Sequence, residues 1–332
     1  MSRAAATELI CPAGTPAALR TAIDAGADAV YTGFRDRTNA RNFPGLNFSR
    51  EEMKRAIDHA HGSGVKLFIA VNTFAAAEDP GPWRQAIDDA ARLGADAAIV
   101  ADIAVADYAA RNHPELRLHL SVQASASTLE AISLFRREFN IQRVILPRTL
   151  TVAELARLIP RTPVEVEVFL FGAMGVMAEG RCALSSYVTG ISPNLGGACS
   201  PAEHVRYEQK PDGSLVSRLG RHAISIAKPG EAAGYPTLCR GCYRTNGRSF
   251  YALEEPTSLN AVSAIPALLA AGVRAFKIEG RQRGRAYVGE VVAAMRKALD
   301  AAMAGKAPQT LATKHVAEGH HETLGGYDKA WH

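Results

Sequence analysis

A chain of 332 residues, 47% hydrophobic and 21% charged, carries enough apolar side chain to bury a large core, which excludes a disordered protein. The formal charge of +5 is modest and its Arg residues are scattered, which permits an anionic substrate or RNA without arguing for either. The opening MSRAAATELICPAG has no long apolar stretch, and the most apolar run, Val164 to Phe171, is short and contains Glu165 and Glu167, so no membrane span is expected and the reading is cytoplasmic.

In chain order, short β-rich runs alternate with helix-period segments. ELICPAG at 8–14 precedes a helix through Ala17–Gly26, and ADAVYTGF follows at 27–34. The pattern continues with KLFIAVNTF at 66–74, ADAAIVAD at 95–102, RLHLSVQAS at 117–125, QRVILPRT at 142–149 and VEVEVFLFG at 164–172, and resumes with VRAFKIEG at 273–280. Eight strands separated by amphipathic helices predict parallel pairing and a TIM-like (β/α)8 barrel. Gly26, Gly94 and Gly272 each end a helix just before a strand. No G-x-G-x-x-G follows the first strand, so a dinucleotide-binding sheet has little support.

The alternation fails between Ala173 and about Glu255. We therefore expect a barrel over 1–172 and 255–305, a cysteine-rich insertion over 173–254 after strand seven, and a C-terminal tail over 306–332. Within the insertion, Pro211-Asp212-Gly213 in EQKPDGSLVSR reads as a hairpin turn. A barrel carries its chemistry at the C-terminal rim, where such an insertion sits.

Four of the five cysteines, Cys182, Cys199, Cys239 and Cys242, fall in that insertion. Four thiolates can complete a tetrahedral zinc site or hold an iron–sulfur cluster. Zinc ribbons use two C-x-x-C knuckles and this chain has one, which favours a cluster over zinc. The pair Cys239 and Cys242 also lacks the strand-to-helix turn of a thioredoxin-type redox motif. Cys11 reads as a packing residue, and His119, among apolar neighbours in RLHLSVQ, as a core histidine.

Several long words, CPAG at 11–14, ADAVYTGFRDRTNARNFPGLNF at 27–48, SVQAS at 121–125, AEGRCALSSYVTG at 178–190, SPNLGGACSPA at 192–202, GYPTLCRG at 234–241, ALEEPTSLN at 252–260 and KIEGRQR at 277–283, closely resemble the ubiquinone-biosynthesis branch of the collagenase-like peptidase family. The resemblance runs from Leu9 to the closing TLGGYDKAW. It implies a barrel protein that forms a heterodimer with a UbiV-like paralogue, carries a 4Fe-4S cluster, and hydroxylates a prenylphenol ring without O2, with prephenate as anionic oxygen donor. Family relatives hydroxylate tRNA or rRNA bases. The resemblance makes Cys182, Cys199 and Cys239 cluster ligands. Its fourth ligand position, seven residues before Cys182, is Gly175 here, while Cys242 stands where the branch usually has a basic residue. Cys242 can substitute, the cluster can keep three protein ligands and an open iron, or the site has lost its cluster and the chain serves as a non-catalytic partner; thiolate count favours the first.

At or beyond the C-terminal ends of the strands stand Arg41, Asn72, Gln123, Arg148, Lys277, Glu279 and Arg281, the substrate-binding candidates. Arg41 and Arg281 can fork onto carboxylates, which suits a dicarboxylate donor, while Lys277 and Glu279 alternatively form an ion pair at the barrel mouth. No catalytic acid or base is assigned. Neither H-E-x-x-H nor G-x-S-x-G occurs, which argues against peptidase activity, and the absence of a basic face or added RNA-binding segment argues against nucleic acid as partner.

Overall fold

The computed structural model describes residues 7–175, 182–231, 233–308 and 313–329. Six strand–helix units come first: β1 (Glu8–Pro12) and α1 (Pro16–Asp24), β2 (Ala29–Gly33) and α2 (Arg50–Gly62), β3 (Lys66–Val71) and α3 (Gly81–Leu93), β4 (Ala97–Val100) and α4 (Ile103–Asn112), β5 (Leu118–Leu120) and α5 (Leu129–Phe139), β6 (Arg143–Ile145) and α6 (Val152–Leu158). β7 (Glu165–Ala173) then leads into α7 (Leu184–Thr189) and α8 (Pro193–Gly196). A three-stranded antiparallel sheet follows, of β8 (Val205–Gln209), β9 (Leu215–Leu219) and β10 (His222–Ala227), then a hairpin of β11 (Cys242–Thr245) and β12 (Arg248–Tyr251). The chain returns through β13 (Ser258–Asn260), α9 (Ile265–Ala271), β14 (Ala275–Ile278) and α10 (Arg285–Met303), and its tail adds β15 (Glu322–Thr323).

β1 to β7 pair in parallel with their sequence neighbours, and β14 pairs in parallel with both β1 and β7, which closes an eight-stranded barrel. This is the TIM-like architecture that the alternating pattern predicts. The eight predicted strands are the eight observed; β7 keeps the length of its word, shifted by one residue, and the others are shorter than theirs. β13 runs antiparallel along the end of β7, with β15 beside it, so the sheet extends past the barrel on the rim.

Local chemistry sets the helix boundaries. Thr15, Ser49, Asp102, Thr128 and Thr151 cap their helices through the side chain, two of them in capping boxes with Glu52 and Glu154. Gly94 and Gly272 terminate α3 and α9 in the left-handed conformation. The turn expected at Pro211-Asp212-Gly213 joins β8 to β9, with the Gly213 N–H donating to the Lys210 carbonyl at 2.9 Å. Residues 252–257 run irregularly into β13.

The apolar core lies between the barrel wall and its helices, where Phe276 and Ile278 of β14, Val291 and Met295 of α10, and Trp83 of α3 are fully buried. Inside the barrel the packing is partly ionic. Arg143 bonds Glu8 at 2.6 Å, Glu165 at 2.7 Å and Glu167 at 3.4 Å, and Glu167 in turn holds the Lys277 ammonium at 2.7 Å. Glu167 is 0% exposed, so this chain of charges rises through the barrel's centre. Cys11 is fully buried, as a packing residue should be, and its thiol is pushed far up by burial. His119 is also fully buried; its Nε2 accepts from Arg117 Nε at 3.0 Å and its ring meets Phe68 edge-on. Burial and the nearby cations keep it neutral.

Candidate functional site

A cavity of about 70 Å³ opens at the C-terminal mouth of the barrel, and all of Arg41, Asn72, Gln123, Arg148, Lys277, Glu279 and Arg281 line it. They come from β14 and the segment after it and from the segments that follow β2, β3, β5 and β6, separated by up to 240 positions in sequence, and meet because parallel strands all end on one rim. Along β14 and beyond, Lys277, Glu279 and Arg281 alternate inward, as period-2 geometry requires. Four cationic side chains, Arg41, Arg148, Lys277 and Arg281, face one lining carboxylate, Glu279.

Lys277 and Arg41 each meet a carboxylate. Lys277 pairs with Glu167 below it and sits 3.8 Å from the Tyr31 ring. The alternative Lys277–Glu279 pair does not form, because Glu167 reaches the ammonium from β7 while Glu279 turns to Arg41 at 3.4 Å. Burial works against the Glu279 charge, but Arg41, Arg148, Arg240 and Arg283 around it hold the carboxyl below its usual range, so it stays ionised. Arg148 stacks on Phe169 with 3.7 Å to the ring centroid.

Arg281 is different. It is 3% exposed, and its guanidinium donates to the side-chain oxygens of Asn39 at 3.2 Å and Asn47 at 3.3 Å. Both partners are neutral, and no ion pair to Arg281 occurs among the described residues. Burial lowers its pKa to about 10, the Arg41 charge contributes in the same direction, and Tyr31 and Glu279 oppose it. A desolvated cation bonded only to amides has Coulombic attraction left for an anion. Asn72 completes the shell: its Oδ1 accepts from the Ala40 N–H at 3.0 Å and its Nδ2 donates to Ser121 Oγ at 3.1 Å, fixing the loop that carries Arg41. Gln123 sits on the turn after β5, whose N–H donates to Ser121.

Glycines set two of these positions. A Cβ on Gly14, in the CPAG word, would lie 1.9 Å from the Arg281 carbonyl oxygen. Gly172, at φ +136°, lets β7 approach Glu279 so closely that a Cβ would sit 2.6 Å from that of Glu279. Side chains at either site would displace the cavity wall.

The cysteines form a shelf beside this mouth. The Cys182 carbonyl accepts from Asn194 Nδ2 at 2.8 Å; Ser200, next to Cys199, donates to the Pro236 carbonyl at 2.5 Å, three residues before Cys239. Asn42, next to Arg41, donates its backbone N–H to the Gly197 carbonyl at 3.0 Å, which fastens the shelf to the barrel. Cys182, Cys199 and Cys239 lie within electrostatic reach of one another. Burial pushes the Cys199 thiol up while Arg41 opposes this and Cys182 adds to it; Cys239 is raised to about 11 by burial, with Cys199 and Cys182 contributing. Cys242 begins β11 opposite Tyr251, half-buried in the same shelf. No three His, Cys, Asp or Glu side chains among the described residues converge on the position of a single ion. A cluster, which spreads its thiolates over separate irons, tolerates a wider set than one tetrahedral ion does. Three thiols sharing one charged neighbourhood therefore fit such a group in chemistry. A Cβ built on Gly175 meets nothing within 4 Å. Part of the AEGRC word, residues 178–181, lies outside the described residues.

Sequence reasoning missed Tyr31, Ser121 and Phe169 in the lining, and Asn39 and Asn47 beneath Arg281. It also missed Arg240, which bonds Glu318 and the Met174 carbonyl, and Arg283, which meets the same Glu318. The signal for Glu167 was present as acid residues alternating through an apolar strand.

No helix among the described residues is long and apolar enough to cross a membrane. The tRNA hydroxylation protein P1 of Bacillus subtilis is 30% identical over 300 residues, covering 89% of this chain and 63% of its own. The tRNA hydroxylation protein P of Escherichia coli is 31% identical over 317 residues, covering 90% and 69%. The 23S rRNA 5-hydroxycytidine C2501 synthase of Escherichia coli is 31% identical over 297 residues, covering 89% and 39%. This chain thus spans between 39% and 69% of the length of these relatives. Residues 14–329 match Peptidase family U32. With a closed parallel barrel, a rim cavity and a match over nearly its whole length, this chain belongs to Peptidase family U32.

Proposed function

We propose that this chain is the iron–sulfur subunit of an O2-independent hydroxylase that adds oxygen to an aromatic or heteroaromatic ring. The observation that carries the reading is Arg281, a buried guanidinium with neutral partners at the mouth of a TIM-like barrel. Such a group suits a carboxylate of an anionic oxygen donor of the prephenate type, the small cavity taking that end of the molecule while the rest lies outward at the mouth, with Arg41 and Arg148 as further cations in the wall. Cys182, Cys199 and Cys239 would hold a 4Fe-4S cluster, and Cys242 is the proposed fourth ligand because it supplies the thiolate that Gly175 lacks. When bound, the cluster supplies electron exchange next to the donor. Arg41, which feels both Glu279 and Cys199, orients the donor between cavity and shelf.

Two ring substrates are in play. The relatives' names support an RNA base, the alternative that the sequence resemblance ranks behind a quinone precursor. The second reading is a prenylated phenol of ubiquinone biosynthesis, hydroxylated by this chain as a UbiU-type subunit beside a UbiV-like paralogue. The long words around Cys182, Cys199 and Cys239 favour it.

Deleting the gene and growing the strain without O2 tests both, with nucleosides and quinone precursors read by mass spectrometry. Loss of one hydroxylated nucleoside supports the RNA base, and accumulation of a prenylphenol lacking one oxygen supports the quinone precursor. Unchanged profiles in both pools contradict a hydroxylase.

A further inference from the structure

A second opening lies outside the donor cavity. A cleft of about 640 Å³ separates the cysteine shelf from the barrel rim and the C-terminal tail. Its walls come from three parts of the chain: Tyr235 and Tyr251 from the insertion, Glu279 and Arg283 from the rim after β14, and Glu318 from the tail. Glu279 lines both this cleft and the donor cavity, and among the described lining residues it is the one they share.

We propose that this cleft is the binding site for the ring substrate, a planar aromatic group that stacks against Tyr235 and Tyr251 while its polar edge faces Glu279. The inference rests on the ring-hydroxylase reading and adds to it a place for the second reactant. Tyr235 is built as a platform. Its ring packs edge-on to Phe43 at 5.6 Å between centroids, and its hydroxyl donates to the Ser200 carbonyl at 2.9 Å. Both contacts fix its plane, yet the residue remains 43% exposed. Tyr251, 40% exposed, stands on β12 opposite Cys242, with Phe250 beside it at 43%. Large aromatics left open on one face suit stacking on a flat ligand, and Tyr235, held by its hydroxyl and by Phe43, has little side-chain entropy left to lose.

The location fits two reactants on either side of one wall. On the inner side of Glu279 lie Arg41 and Arg281; on the outer side lie Arg283 and Arg240, the latter directly after Cys239. Arg240 and Arg283 both pair with Glu318, so the tail closes the cleft's far wall. A ring seated against Tyr235 is next to both the cysteine shelf and the carboxylate that borders the donor cavity. The shared chemistry, a planar ring with a hydrogen-bonding edge, is met by a nucleobase and by a phenol.

Anaerobically purified full-length holoprotein, titrated with three probes, tests the assignment: a fluorescein-labelled single-stranded heptanucleotide, geranylphenol in mild detergent, and malonate as a dicarboxylate. We expect one of the two ring probes to bind, and Tyr251→Ala and Tyr235→Leu each to weaken it roughly tenfold, the range of one lost aromatic stack. Malonate affinity should stay the same in both variants. Thermal melts exclude misfolding, and Tyr251→Phe, which keeps the ring, should restore ring-probe binding. Whichever probe responds names the source of the ring. Ring binding that is indifferent to both tyrosine variants overturns the cleft assignment while leaving the hydroxylase reading intact. Failure of both ring probes to bind overturns it as well. Intact tyrosine-dependent binding with unchanged nucleoside and quinone profiles in the deletion strain would instead sink the hydroxylase reading and keep the cleft as a ring-binding site.

Discussion

Arg281 concentrates the chemistry of the site. An arginine buried with no carboxylate in direct contact opposes folding, because its charge leaves water and its hydrogen bonds go only to neutral oxygens, with Tyr31 and the more distant Glu279 offsetting part of the cost. Its pKa of about 10 lies below that of an exposed guanidinium, so above pH 10 the unfolded chain binds more protons than the folded one. The folding penalty is therefore full below that pH and shrinks as pH rises. Anion binding has the opposite slope. Malonate affinity should be flat from about pH 7 to 9 and fall by up to about tenfold for each pH unit above the free-site pKa of about 10, as loss of a single proton requires. Titration calorimetry across that range checks it, and an affinity that rises above pH 10 contradicts it. The word KIEGRQR makes Arg281 readable as a rim residue from sequence. Its partners Asn39 and Asn47 were not readable, since both lie in a loop without periodicity and meet Arg281 only through closure of the barrel.

At the scale of the element, alternation decides which charges face inward. Glu165 and Glu167 in β7 and Lys277 in β14 sit on the barrel's inner face while their apolar neighbours face the helices. In the sequence these acids served to rule out a membrane span; their period of two also marks the interior face of a closed barrel. The partner of Lys277 was not legible because β7 and β14 are adjacent only after the insertion is bridged. Replacing Glu167 with Leu strands Lys277 in the interior while Arg143 keeps Glu8 and Glu165. We expect a loss of about 3 to 5 kcal/mol in denaturant unfolding, the usual cost of breaking a buried pair. Adding Lys277→Met should recover much of it, since the unpaired charge goes too. A double variant no more stable than Glu167→Leu contradicts the ion-pair account.

Across the whole molecule, the eight-strand pattern was legible because every unit repeats one simple rule, apolar strand then amphipathic helix. The shelf was legible only as a break in that rule. Its antiparallel sheet, the hairpin of β11 and β12, and the docking of Glu318 on Arg240 and Arg283 depend on contacts between distant segments that no local periodicity encodes. The cysteines could be counted in sequence, but their common neighbourhood comes from Asn194, Ser200 and Asn42 fastening three loops together. Iron and acid-labile sulfide should fall to background in Cys199→Ser and drop substantially in Cys242→Ser. Full iron in Cys242→Ser would remove Cys242 from the ligand set and leave three cysteines.

The central claim is that the rim cavity holds an anionic oxygen donor through Arg281. Isothermal titration of prephenate into anaerobically purified protein tests it most directly. We predict one prephenate per chain, with affinity cut by at least roughly tenfold in Arg281→Gln, the lower range for losing a charge-assisted bond to a carboxylate, because glutamine still donates to Asn39 or Asn47 but carries no charge. Absence of binding, or equal affinity in wild type and Arg281→Gln, would contradict the account.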